Sequence, residues 1–281
     1  IDSNQGTPWC FNMRWRNDFQ QARCLVTGAS SGLGRAFAVA LAEQGARVFI
    51  TGRSGARLQE TLELMRARNP SPMNHGCMVA DLTVPDDREQ LFDQIAHQFG
   101  GLDLVFNNAG VGATGHFSTH DEFLLRQIFE INFFAAAEVM RLAFPLLLQG
   151  ESPTLVNVGS IVARRGLPAR AEYCASKFAL AGLTESIRAE WVRHRIHVML
   201  LNPGFTKTQF ENNLLIDNSV MKVTNLRLMT SEAVAHAALR AVLRKKHEVT
   251  LTGRGRALVL VNRLFPKIVD RGLARLTQKL Y

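Results

Sequence analysis

The 281-residue chain is long enough for one large α/β domain or two small ones. Hydrophobic residues make up 47% and charged residues 20%, a mixture that excludes a disordered chain. The 33 Lys and Arg against 24 Asp and Glu give a formal charge of +9, so nucleic acid, anionic lipid and phosphorylated small molecules all enter as partners.

Residues 1–21 read as an N-terminal extension in which Trp9 and Trp15 cover apolar surface. Short apolar runs then alternate with helical patterns. Arg23 to Thr27 precedes a helix from about Leu33 to Gln44, and Arg47 to Thr51 precedes one from about Ala56 to Arg68. Gly76 to Ala80 precedes a helix near Asp86 to Phe99, and Leu102 to Phe106 a long one near Glu122 to Leu148. Thr154 to Val158 precedes another near Ala171 to His194, and Ile196 to Leu201 is the sixth strand candidate. A seventh, Val249 to Leu251, follows a helix near Glu232 to Lys245. This alternation reads as βαβ units with buried parallel strands. No repeat, low-complexity tract or linker marks a second domain. The expected fold is therefore α/β: a single-domain, Rossmann-type doubly wound parallel sheet over residues 22–253, about seven strands with helices on both faces.

Two segments break the rhythm. Residues 204–230 form a long connection carrying Phe205, Phe210, Leu214, Leu215, Ile216, Met221 and Met229, too apolar for a solvated loop, and it leaves the carboxyl end of a strand. It reads as a substrate lid. Residues 254–281 mix Leu258, Leu260, Leu264, Phe265, Ile268 and Leu273 with regularly spaced bases, a basic amphipathic segment with a possible peripheral membrane contact. The positive excess gathers toward this end, in Arg240, Arg244, Lys245, Lys246, Arg254, Arg256, Arg263, Lys267, Arg271, Arg275 and Lys279. That is a tail effect and not a DNA-binding surface, and no nucleic-acid partner is expected.

The first strand runs into Thr27-Gly28-Ala29-Ser30-Ser31-Gly32-Leu33-Gly34 and then a helix, the context a dinucleotide-binding turn requires. Its glycines permit a tight turn and let a pyrophosphate approach free N–H groups at a helix N-terminus. The spacing is GxxxGxG rather than GxGxxG. Tyr173 and Lys177 stand four residues apart at the start of a helix and so share one face. A cation beside a phenol stabilises the phenolate, lowering its pKa from about 10 and making Tyr a usable acid or base. Ser160 ends the preceding strand, placed to hydrogen-bond a substrate oxygen.

TGASSGLG, the Asn107-Asn108-Ala109-Gly110 run, Ser160, YCASK at Tyr173 to Lys177, and Pro203-Gly204 together resemble the short-chain dehydrogenase/reductase family, in the right order over about residues 22–252. The resemblance implies a catalytic tetrad of Asn132, Ser160, Tyr173 and Lys177. Tyr173 would protonate the carbonyl oxygen during reduction, Ser160 would hold that oxygen, Lys177 would bind the nicotinamide ribose and lower the Tyr pKa, and Asn132 would support a relay water. Asp81 with Leu82 resembles the adenine-contacting segment, and Asn107 to Gly110 the run lining the cofactor. Thr206 and Thr208 resemble the residues that grip its carboxamide and phosphate end. The family also implies a homodimer or homotetramer. A cofactor-binding regulatory or scaffold protein with little turnover is the competing class; the complete tetrad argues against it.

An NAD-preferring site places Asp or Glu after the second strand, about 20 positions past the glycines. This chain reads Thr51-Gly52-Arg53, with Arg57 close behind and Arg35 just after the glycines. A guanidinium binds phosphate through charge-assisted, often bidentate bonds, so Arg53 is the candidate for a 2′-phosphate, and NADP(H) is expected over NAD(H). The substrate-selecting segments, Val162 to Pro168, 204–230 and the tail, are apolar, which points to a small hydrophobic carbonyl or alcohol. Cys10, Cys24, Cys77 and Cys174 have no zinc-like spacing, so no metal or disulfide framework is expected, and Cys174 reads as an inert buried thiol. His116 and His120 lack an acidic partner motif and read as ordinary. No run approaches the ~18 apolar residues of a membrane span, and the first 22 residues are too polar for a signal peptide. A reducing, cytoplasmic setting is expected, membrane association through the tail remaining possible. The chain begins at Ile1 rather than Met, which leaves an upstream segment open.

Overall fold

Strands and helices alternate as the apolar periodicity predicts. The computed structural model describes residues 16–69, 74–204, 206–207, 214–218 and 228–278. The first half contains β1 (Arg23–Thr27), α1 (Gly32–Glu43), β2 (Arg47–Gly52), α2 (Gly55–Arg68), β3 (Gly76–Val79), α3 (Pro85–Phe99) and β4 (Leu104–Asn107). It continues with β5 (Gly112–Thr114), α4 (Glu122–Phe129), α5 (Ala135–Leu147), β6 (Thr154–Val158), α6 (Ala171–Trp191) and β7 (His197–Asn202). The last part contains β8 (Thr206–Lys207), β9 (Leu214–Asp217), β10 (Met229–Thr230), α7 (Ser231–Leu243), β11 (Glu248–Thr250), α8 (Gly253–Leu264) and α9 (Pro266–Thr277).

Seven strands form one parallel sheet in the order β3-β2-β1-β4-β6-β7-β11. Successive side chains of a strand face opposite sides, so each central strand feeds two cores. Leu25 and Val105 pack with α3, α5 and α6, whereas Val26 and Phe106 pack with α1, α2 and α7. The Phe37 and Phe106 rings stack at 4.4 Å, seating α1 on the sheet centre. Each fully buried Leu, Ile or Phe contributes about 1.5–3 kcal/mol, and polar residues that these strands bury, Asn107 and Asn157 among them, are hydrogen-bonded. Strand order reverses between β1 and β4, and beyond their carboxyl ends a doubly wound sheet leaves a crevice.

The structure departs from the periodicity in three places. The helix expected over Glu122 to Leu148 is interrupted: residues Glu130–Phe134 form a π-helical turn between α4 and α5. Within it Asn132 is fully buried, its amide bonded to both main-chain groups of Val111 and to the Ser176 hydroxyl. A widened turn of this kind is common at functional sites, and the local sequence gives no sign of these distant partners. Second, the long connection after Pro203 contains short strands: β8 pairs with β10, and β9 reaches back to pair with β5. Third, the N-terminal extension joins the core at its end, where Phe19 is buried and Arg16 bonds Ser152 and Glu151. Trp9, Cys10 and Trp15 lie outside the described residues, as do Phe205, Thr208, Phe210 and Met221 of the connection and Lys279 of the tail.

Candidate active site

A cleft of about 320 Å³ opens at the strand-order reversal. One end is built by main chain. β1 ends at Thr27, whose hydroxyl accepts hydrogen bonds from Asn108 N at 2.9 Å and Ala109 N at 3.0 Å, locking the β1 and β4 turns side by side. Gly28 has φ +66°, and a Cβ there would lie 2.9 Å from Ala109 Cα; one on Gly34 would lie 2.2 Å from the Gly28 oxygen. Only glycine fits either position. Gly28, Ser30, Ser31, Gly32 and Leu33 line the cleft, and Gly34 packs beneath them. The Ser31 side chain makes no capping bond and α1 has no acid in its first turn, so the helix's unspent N–H groups face the cleft. This cradle fits a dinucleotide pyrophosphate.

Beyond it, Arg53 and Arg57 line the cleft, are exposed, and engage no acid among the described residues. Arg35 differs: its guanidinium is spent on Thr61, Glu60 and the Ser30 and Arg57 carbonyls. Asp81 and Leu82 line the same end, with the Asp81 carboxylate accepting from Thr83 N and its hydroxyl. Ala109 and Gly110 line the floor, whereas Asn107 lies below it, buried and bonded to the Ala136 carbonyl and Asn157. Pro203, Gly204 and Thr206 complete the lining on the far side, and Thr208 falls outside the described residues.

The other end holds the chemistry-bearing side chains. Ser160 follows β6, and Tyr173 and Lys177 project from the first two turns of α6 into the same space. The Tyr173 hydroxyl bonds Ser160, and the Lys177 Nζ donates to the Val158 carbonyl at 2.9 Å, 5.9 Å from the Tyr173 ring centre. Asn132 is absent from the wall itself; it sits behind Gly110 and pins Val111. Burial governs the electrostatics. It pushes the Tyr173 phenol up to about 12, against the Ser160 hydrogen bond and the Arg170 charge, and pushes Lys177 down to about 8. The expected lowering of the Tyr pKa by Lys177 is thus not seen in the chain by itself: the desolvation cost of a buried phenolate is the larger effect. Tyr173 is held protonated.

Some residues escaped the sequence reading. Arg170 lines the cleft beside Tyr173, but a lone Arg in a loop carries no motif. His120 is not ordinary: its Nδ1 lies 2.7 Å from a Glu172 carboxylate oxygen, both side chains nearly fully buried, 52 positions apart. Cys174 is buried and desolvation pushes its thiol up. No cluster of metal-ligating side chains is found among the described residues.

The sequence pattern of the family described as short chain dehydrogenase matches residues 22–219. The chain belongs to this family. Among curated members, dehydrogenase/reductase SDR family member 7B of Bos taurus is 30% identical over 275 residues, covering 95% of this chain and 85% of that one. A short-chain dehydrogenase/reductase from Burkholderia phymatum in complex with NAD superposes with a TM-score of 0.79 at 23% identity, covering 89% of this chain and 96% of that one. An alcohol dehydrogenase from Thermococcus sibiricus complexed with 5-hydroxy-NADP gives 0.72 at 23% identity, covering 82% and 95%. At this identity both likenesses speak to the fold. As a short-chain dehydrogenase, this protein is an oxidoreductase of the NAD(P)-binding kind. Among the described residues no helix is long and apolar enough to cross a membrane.

Proposed function

We propose that this short-chain dehydrogenase is an NADP(H)-dependent carbonyl reductase or alcohol dehydrogenase acting on a small hydrophobic substrate. The observation that carries the reading is the convergence of Ser160, a protonated Tyr173 and Lys177 at one end of a cleft whose other end offers an uncapped helix N-terminus and two uncommitted arginines. When bound, the nicotinamide supplies the hydride. The chain does the rest. Ser160 holds the carbonyl oxygen, Tyr173 Oη releases its proton to that oxygen, and Lys177 supports the phenolate left behind while holding the ribose. Asn132, through Val111, keeps the floor under these groups and supports the relay water. Gly28 to Gly34 with Pro203, Gly204, Thr206 and Thr208 hold the phosphates and carboxamide, Asp81 and Leu82 the adenine, and Arg53 the 2′-phosphate.

The substrate end is lined by Val111, Ile131, Ile161, Val162 and Leu167, which supports an apolar substrate. Residues 204–230 are proposed as its cover: β9 lays Leu215 and Ile216 against Val111, Leu124 and Ile128 at the edge of this end. A homodimer or homotetramer is supported by Phe134 and Phe178, exposed large apolar side chains on elements that pack together. The dispersed cysteines support a reducing, cytoplasmic setting.

The test is NADPH oxidation by the protein over ketones and aldehydes of graded apolar size. Turnover on apolar carbonyls is expected, with NADH slower. Cofactor binding without turnover on any carbonyl would favour a regulatory role, and no binding of either dinucleotide would remove the reading.

A further inference from the structure

The exposed large apolar side chains of this chain are unevenly distributed. Five of them, Leu260, Val261, Leu264, Phe265 and Ile268, are 40–59% exposed within nine consecutive positions across the end of α8 and the start of α9. Leu260, Val261 and Leu264 share one face of α8, residues three and four apart lying together on a helix, while Phe265 sits at the break between the helices and Ile268 in the first turn of α9, so the five cluster about the α8–α9 junction. An apolar cluster of this density on the surface marks an interaction site.

The charges around it have one sign. Arg263, Lys267, Arg271 and Arg275 are exposed on the same two helices, the last three at four-residue intervals along α9. Asp270 is the single acid of α8 and α9, and Arg165 takes it up at 2.6 Å. A second copy packed by a two-fold axis would meet this patch with itself and bring these bases face to face. An anionic surface with an apolar interior complements both features at once.

We propose that α8 and α9 dock this protein on anionic lipid bilayers, the five apolar side chains entering the headgroup boundary and the bases meeting lipid phosphates and carboxylates. The docked helices are tied to the substrate end of the cleft. Arg165 bonds Asn262 and Asp270, Asn262 Nδ2 donates to the Arg164 carbonyl, and the first turn of α8 rests on Ile161, which lines the cleft. On the proposed reading of that end as the substrate side, the docked bilayer lies beside the elements that carry Ile161.

The experiment is vesicle flotation of the full chain at low salt, comparing phosphatidylcholine alone with phosphatidylcholine carrying about one-third phosphatidylserine. Co-flotation with the anionic vesicles only is expected, and it falls as salt rises from about 0.05 M to about 0.5 M. Leu264→Glu with Phe265→Glu is expected to weaken binding at least about ten-fold. Arg263→Gln, Lys267→Gln and Arg271→Gln together, all at exposed positions that leave the core intact, should weaken it about a hundred-fold, at about five-fold per base. Thermal midpoints of both variants within a few degrees of the parent exclude unfolding. No flotation of the parent at low salt, or undiminished flotation of the triple Gln variant, overturns the proposal. So does a parent oligomer that the Glu variant splits without any lipid binding, which would make the patch a contact between copies.

Discussion

The two ends of the cleft are built in different ways. At the cofactor end the wall is main chain: the β1 turn, the α1 N-terminus and the β4 turn, with Gly28 and Gly34 leaving no room for a side chain. At the substrate end the wall is side chain, drawn from Val111, Ile131, Ile161, Val162 and Leu167. Main-chain sites need particular residues at particular spacings and so leave a readable pattern; side-chain walls need only volume and polarity, which many sequences supply. That is why the chemistry here is specified far more sharply than the molecule it acts on.

Lys177→Ala strikes both ends at once and carries the largest expected effect. Lys177 sits where they meet, close to Gly110, Val158 and Tyr173, so its loss should lower turnover about 10²–10⁴-fold and weaken dinucleotide binding together. Steady-state rates paired with a fluorescence titration of NADPH check this; an effect on turnover alone would confine Lys177 to proton chemistry.

Arg53→Asp acts on the cofactor end alone. One charge-assisted bond is worth about 1.5–3 kcal/mol, so the parent should prefer NADPH over NADH by about ten-fold to a hundred-fold or more in kcat/KM, and the variant should shrink or invert that ratio. Equal use of both dinucleotides by the parent would show that Arg53 points elsewhere. Arg35→Gln, by contrast, should leave the ratio unchanged, because that guanidinium is already engaged by Thr61 and Glu60.

The smallest effect is that of pH. Tyr173 keeps its proton up to about 12, so it does not limit reduction in the accessible range. Lys177 is depressed to about 8: below that value it is charged and supports the departing phenolate, and above it the charge is lost. The reductive kcat/KM should therefore be level near neutrality and fall up to about ten-fold per pH unit above about 8. A profile level to about pH 10 would mean that the Lys177 charge is not required.

Much of this was legible in the residue order. β1, β2 and β6 fall within a residue of their expected bounds because their apolar runs end abruptly at Gly or polar positions. The glycine turn, Ser160, Tyr173 and Lys177 were readable because each depends on local spacing. What was missed depends on distance. The π-helical turn at Asn132 answers to Val111 and Ser176, β9 answers to β5 a hundred positions earlier, and His120 answers to Glu172. The direction of the Tyr173 shift was misread for the same reason: a Lys four residues away is visible in a sequence, and the depth at which the phenol is buried is not.

The central claim is that Tyr173 gives up the proton while the opposite end of the cleft holds the dinucleotide. Tyr173→Phe tests it most directly, with NADPH affinity and carbonyl turnover measured on one preparation. The account predicts affinity within a few-fold of the parent and turnover reduced about 10²–10⁴-fold, because the substitution deletes the donor and none of the phosphate contacts. Turnover within a few-fold of the parent on the same carbonyl would contradict it.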